Sequence, residues 1–160
     1  MPSKCICILG FLCLIACDTK ETFTQFKPVA NHEWVAADQF NFFVDNTDTI
    51  SERNVFIHIR TNQQYAFNAL FLIAGLRYPD GKQVVDTLQY TMTDAAGNIL
   101  GTGFGGLKEH KLFYKEKEVF KQQGTYRFQV QHATRGVGDI KGEKPLQGIV
   151  DVGLSIESID

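Results

Sequence analysis

The chain has 160 residues, 16 basic and 18 acidic, for a net charge of −2. That length suits one domain with a real core. The balanced charge, with no basic block, excludes the electrostatic footprint of a nucleic-acid binder.

In chain order, the first element is a leader. Lys4 is the only charge before Asp18, and residues 5–16 form an apolar run of about a dozen residues. This matches the hydrophobic region of a secretory signal and falls well short of the roughly 20 residues that span a bilayer. The run ends Leu14-Ile15-Ala16-Cys17, which has the form of a lipobox. Small residues let the signal peptidase reach the bond, and the thiol carries a diacylglycerol. Residues 1–16 are therefore expected to be a cleaved lipoprotein signal peptide, and Cys17 the lipidated residue that ties the chain to a membrane. All four cysteines lie at positions 5, 7, 13 and 17. The mature chain then has no free thiol, no disulfide and no cysteine metal site. Losing Lys4 makes it one charge more acidic.

Residues 17–22 read as a short polar tether, followed by a single domain over residues 23–160. From there the hydrophobic pattern has period two. Phe40, Phe42 and Val44 share one face. So do Val55, Ile57 and Ile59, with Phe56, His58 and Arg60 opposite. Residues 69–77 are an almost continuous apolar run, as in a buried strand. Leu88, Tyr90 and Met92 alternate over residues 87–93. Tyr126, Phe128 and Val130, then Val152, Leu154 and Ile156, repeat the pattern. Such runs, rich in β-branched and aromatic residues, are strands. Tyr78-Pro79-Asp80-Gly81 is a turn. Asp94 to Asn98 is a hairpin loop joining residues 87–93 to 99–104. In residues 108–123, Lys111, Lys115 and Glu118 would suit a helical turn, but a strand over 112–114 followed by a loop fits better. The sum is an all-β, antiparallel two-sheet sandwich of jelly-roll or immunoglobulin-like wiring. A single sheet would leave too many of the 13 phenylalanines wet.

Chemistry-bearing patterns are few. Gly101-Thr102-Gly103-Phe104-Gly105-Gly106 lacks the following Lys-Ser/Thr and the strand-to-helix context of a phosphate loop. It reads as a strand that narrows against a neighbour and opens into a loop. His32, His58, His110 and His132 show no metal-ligand spacing, and none is expected to hold a metal. His58 should face solvent or an edge. No serine sits in a nucleophile elbow, so an enzyme is not expected and no cofactor is implied. Arg60, Asn62, Asn68 and Asp86 flank strand ends. They either pin loops to the sheet or form a polar patch for a partner. Trp34, the only tryptophan, is read as core or core-rim. If exposed, it would instead be a sugar-stacking platform.

Taken together, several of these segments resemble the gliding motility lipoprotein GldH family of the Bacteroidota. They are the lipobox, Phe26-Lys27-Pro28, Trp34, Phe40 to Val44, Arg60-Thr61-Asn62, Tyr65 to Leu70, Asp86-Thr87, Gly124 to Phe128, Arg135 and Leu146 to Glu157. The resemblance implies a lipid-anchored cell-envelope protein with protein partners in the gliding machinery and the type IX secretion system tied to it. It implies no catalytic residue, and only Cys17 carries over. The competing expectation is a surface carbohydrate-binding lipoprotein module.

Overall fold

The computed structural model describes residues 21–136, 138–141 and 144–159. The expected signal peptide and Cys17 lie outside them. The described chain is built from strands: β1 (Glu21–Pro28), β2 (Glu33–Trp34), β3 (Phe40–Asn46), β4 (Glu52–Thr61) and β5 (Ala69–Arg77). The second half adds β6 (Gln83–Thr91), β7 (Lys108–Val119), β8 (Gly124–His132), β9 (Leu146–Gln147) and β10 (Ile149–Ser158). One 3-10 turn, Ala30–His32, interrupts them.

The antiparallel pairs β1/β10, β2/β9, β3/β8, β4/β7 and β5/β6 nest one inside the next. The chain is thus one long hairpin with its tip at the Tyr78–Lys82 turn, where the Tyr78 N–H donates to Lys82 O at 2.8 Å. Rolling that hairpin up brings β10 against β4 and β8 against β5. The result is two four-stranded sheets, β1-β10-β4-β7 and β3-β8-β5-β6. This is jelly-roll wiring, so of the two sandwich alternatives the jelly roll holds.

The period-two faces meet as expected. Val55, Ile57, Ile59, Val152, Leu154 and Ile156 come from one sheet, and Phe42, Val44, Leu70, Leu72, Tyr126 and Phe128 from the other. All are buried. Burial of this alternating set is the main driving force for closing the roll. Trp34 is buried and donates its indole N–H to Asp38 O at 3.0 Å. It plugs the sandwich against Phe40 and His132, which agrees with its reading as core.

Four local readings need correction. β1 begins at Glu21, so Thr22 belongs to the sheet and not to a tether. β6 starts at Gln83, before residue 87. β7 runs from Lys108 to Val119, well beyond 112–114. Register shifts opposite Val55 let it continue through a lysine-rich stretch that lacks clean alternation. The arm after the Asp94 loop is held by isolated bridges, Thr93 to Ile99 and Thr102 to Glu109, and is not a strand. The loop itself is as expected: Asp94 Oδ1 accepts from the Ala96 and Asn98 N–H groups, both at 2.9 Å.

Candidate functional site

The two ends of the sandwich differ in kind. At one end β1 begins, with Glu21 beside Glu157, Glu157 beside Asn54 and Glu52 beside Val119. At the other, Thr61 faces Lys108 and Ile149, and Ala69 faces Thr91. The ten residues of β4 separate these ends, roughly 30 Å at about 3.3 Å per residue.

The end far from the start of β1 carries an open surface feature. Residues 102–109 close a small hairpin, with reciprocal bonds between Thr102 and Glu109 at 2.9 and 2.7 Å. A Cβ on Gly101 would lie 2.5 Å from Glu109 O, and one on Gly103 would lie 2.3 Å from Leu107 O. Only glycine allows so close a backbone approach, which is the narrowing inferred from the sequence. At the tip the Leu107 N–H donates to Phe104 O, and the Phe104 side chain is 98% exposed. Leu100 and Leu107 are exposed nearby in sequence. A recess of about 420 Å³ separates this loop from His32, Asn62 and Gln64. A second recess, of about 280 Å³, lies between Phe104, Leu107, Arg60 and Glu109.

Arg60 is held rigidly there. Its Nε–H donates to Glu109 Oε2 at 2.8 Å, its Nη1 reaches Asp151 Oδ2 at 3.5 Å, and its guanidinium sits 3.9 Å from the Phe26 ring centroid. Hydrogen bonding to Glu109 raises its pKa further. Burial pushes the Glu109 carboxyl up, but the Arg60 charge and the hydrogen bonds from Arg60 and His58 outweigh it and hold the group below the ordinary range. Asn62 is half-buried in its loop. Its Oδ1 accepts from the Gln64 N–H at 2.9 Å and its Nδ2 contacts His32 Nδ1 at 3.3 Å.

The four residues of the expected patch do not come together. Arg60 and Asn62 line adjoining recesses at this end. Asn68 is exposed, and its carbonyl accepts from the Met92 N–H at 2.8 Å, pinning a loop. Asp86 alternates with the solvent-facing residues of β6 and meets Tyr114 Oη at 3.2 Å and Lys115 Nζ at 3.1 Å. Lys115 is six residues along β7 from Glu109, or about 20 Å. Asp86 therefore clips the two sheet edges together, and a charge turned inward on an edge strand also guards against edge-to-edge pairing.

His58 is the larger surprise. It is buried, not solvent-facing, because β4 is an inner strand whose outer face is covered by Phe26 from β1. Its Nε2 is 2.7 Å from Ser155 Oγ and its Nδ1 is 3.3 Å from Glu109 Oε1. Burial lowers its pKa. In the neutral form, Nδ1–H donates to Glu109 and the Ser155 hydroxyl donates to Nε2. The order hydroxyl, imidazole, carboxylate is that of a hydrolytic triad, but Ser155 is 0% exposed and lies mid-strand in β10, which is paired on both sides. The chain of contacts orients Glu109, and through it Arg60. Nothing in the sequence around Ser155 marked this. Only the cross-strand register, which pairs His58 with Gly153 and so sets Ser155 two residues further along β10 on the same face, reveals it. Phe104 did carry a sequence signal: it stands between Gly103 and Gly105, which have no side chains to cover it.

The exposed phenylalanines lie apart. Phe43 is on the outer face of β3, Phe113 on that of β7, and Phe104 on the end loop. Phe113 packs edge-on against the half-buried Phe56, 5.0 Å between centroids, an edge-to-face pair and not a flat stacking platform. Among the described residues no three His, Cys, Asp or Glu side chains gather as a metal cage.

A family model described as GldH lipoprotein matches residues 21–156. A protein of Christiangramia forsetii named gliding motility lipoprotein GldH homolog is 41% identical over 155 residues, covering 97% of this chain and 94% of its own length. The gliding motility lipoprotein GldH of Flavobacterium johnsoniae is 39% identical, covering 97% and 96%. Among solved structures, the VP2 subviral particle of infectious bursal disease virus overlaps 87% of this chain and 43% of its own, at 15% identity and a TM-score of 0.26. The Gx strain of the same virus gives 17% identity, a TM-score of 0.31 and coverage of 87% and 33%. The chain spans less than half the length of those viral proteins.

Proposed function

The chain belongs to the GldH lipoprotein family, and on that premise we propose that it is a lipid-anchored cell-envelope component of the gliding motility apparatus and its coupled type IX secretion. In this reading Cys17 bears the lipid, and the domain acts by protein contact, without catalysis or a cofactor. One observation carries the contact reading. The anchor residue lies four positions before β1, and the glycine-hinged Phe104 loop with Arg60 and Asn62 is at the opposite end of the sandwich. A tethered domain thus holds an aromatic tip flanked by fixed polar groups away from the bilayer. Aromatic and arginine side chains are the usual anchors of protein interfaces. Confinement to a membrane raises the effective concentration of that tip, so modest affinity suffices.

In vivo photocrosslinking tests this. A benzophenone amino acid at position 104, in the protein's own host, should give a discrete crosslinked protein. The same group at Glu116, on β7 toward the other end, should not. Phe104→Ala should weaken spreading on surfaces while the protein still folds and reaches the envelope. Absence of a position-dependent crosslink, together with unchanged spreading of the deletion strain of a gliding host, would refute the reading.

A further inference from the structure

The outer face of the β3-β8-β5-β6 sheet contains a charge arrangement that the distal contact reading does not use. Arg77 on β5 stands directly opposite Arg127 on β8. Like charges at such a pair are destabilising, in a protein whose net charge is negative. Among the described residues neither arginine makes an ion pair. Two carboxylates near them in the fold, Asp45 and Asp80, bond neutral donors and form no ion pair with either arginine. Asp45, two residues along β3 from the Arg127 partner Phe43, accepts from Thr125 Oγ1 at 2.6 Å. Asp80, in the turn after Arg77, accepts from Gln122 Nε2 at 2.8 Å and, through its other oxygen, from the Lys82 N–H at 2.9 Å. Arg127 Nε is buried and has no hydrogen-bond partner, which leaves a charged donor unsatisfied.

These two side chains line a recess of about 280 Å³ with Phe43, Tyr78, Pro79 and Thr125. We propose that Arg77 and Arg127 form a phosphate-binding site. Two guanidinium forks can each present parallel N–H groups to the oxygens of one phosphate. The bound anion would cancel the repulsion between the pair and, with a small turn of the Arg127 guanidinium, give its buried Nε–H a partner. Phe43 and Pro79 give the site an apolar flank suited to an esterified phosphate. Its position favours one source. Arg77 is the last residue of β5, at the end of the sandwich where β1 begins. The residues between Cys17 and Glu21 reach no more than about 14 Å when extended. Ile50, 84% exposed, is on the β3–β4 loop at the same end. Lipid headgroup phosphates are therefore the anions closest to the recess. That source rests on the reading of Cys17 as the anchor; the phosphate site itself does not.

The test uses the purified mature lipoprotein in nonionic micelles. Arginine Nε–H resonances are followed while sodium phosphate replaces sodium chloride at constant ionic strength. A saturable shift of the Arg127 Nε–H signal is expected. It should be abolished in Arg77→Gln/Arg127→Gln. Arg77→Lys/Arg127→Lys, which keeps charge and loses the forks, should bind about tenfold more weakly or worse. The glutamine variant should melt no lower than wild type, since it removes a repulsion, so loss of binding cannot be ascribed to misfolding. A linear drift, or the same shift in the glutamine variant, overturns the site. A second arm places the protein, labelled at Gln83→Cys, in vesicles of phosphatidylcholine with or without phosphatidylglycerol carrying nitroxide lipids. Stronger quenching with phosphatidylglycerol in wild type, but not in the glutamine variant, identifies the headgroup as the source. Phosphate saturation without that difference supports the site with free phosphate as its ligand. Failure of the anchor reading would look different: the protein would not stay with either vesicle.

Discussion

Replacing Glu109 by glutamine probes the coupling between the buried His58 and the rim residue Arg60. Glu109 accepts from Arg60 Nε at 2.8 Å and from His58 Nδ1 at 3.3 Å, and its side chain is 34% exposed against 33% for Arg60. A charge-assisted bond at full burial contributes about 1.5–3 kcal/mol, and an exposed pair about 0–1 kcal/mol. A third of each side chain meets solvent, so the value belongs between these ranges, at about 1–1.5 kcal/mol. Glutamine keeps one acceptor oxygen and the same shape, and Asp151 stays within 3.5 Å of Arg60. Most of the loss is therefore charge, not packing. Guanidinium unfolding at neutral pH should show a lower midpoint with an unchanged slope. In thermal unfolding the shift should be roughly 3–6 °C downward for a domain of this size. The difference from wild type should shrink in high salt, as screening predicts. In a double-mutant cycle with Arg60→Ala, a coupling of about 1 kcal/mol should appear. A Glu109→Gln protein as stable as wild type, with no coupling to Arg60, would refute the view that this carboxylate holds the arginine in place.

Three further outcomes follow from other parts of the molecule. Burial holds His58, His110 and His132 below the ordinary value of 6.5; below that pH the unfolded chain takes up protons the folded one refuses, so urea midpoints should fall as pH drops from about 6.5 through the folded pKa values, and fall again when Glu109, Asp80 and Asp94 are protonated. A flat profile from pH 7.5 to 5.5 would count against buried neutral histidines. Gly148 has φ of 84° and a Cβ there would lie 2.2 Å from Tyr65 N, so Gly148→Ala should cost about 2–4 kcal/mol from left-handed strain plus a forced backbone shift, and calorimetry showing less than about 1 kcal/mol would contradict that geometry. Cys17→Ala should abolish labelling by a fatty-acid analogue and release the protein from membranes, and equal labelling of both forms would remove the anchor from the account.

Much of the fold was legible in the linear pattern because strand side chains alternate with a period of two. Once Val55, Ile57 and Ile59 are read as one face, the opposite face carrying Phe56, His58 and Arg60 follows without any coordinates. The turn at Tyr78–Lys82 and the Asp94 loop were readable for a similar reason: their hydrogen bonds close within a few residues of each other. The family membership was also visible in the order of short motifs. Pairing across the chain was not. Whether the sandwich is a jelly roll depends on β1 meeting β10 and β3 meeting β8, contacts between distant segments that local propensity does not encode. The same holds for function-bearing neighbours. Strand register sets Arg60 directly opposite Glu109 and Asp151, and Arg77 directly opposite Arg127, and it places Ser155 diagonally from His58. A slip of one residue in any of these ladders would turn each side chain to the other face. The alternating sequence thus determined which residues could face inward, while tertiary pairing decided which polar groups would neutralise one another and which two arginines would be left without a counter-charge.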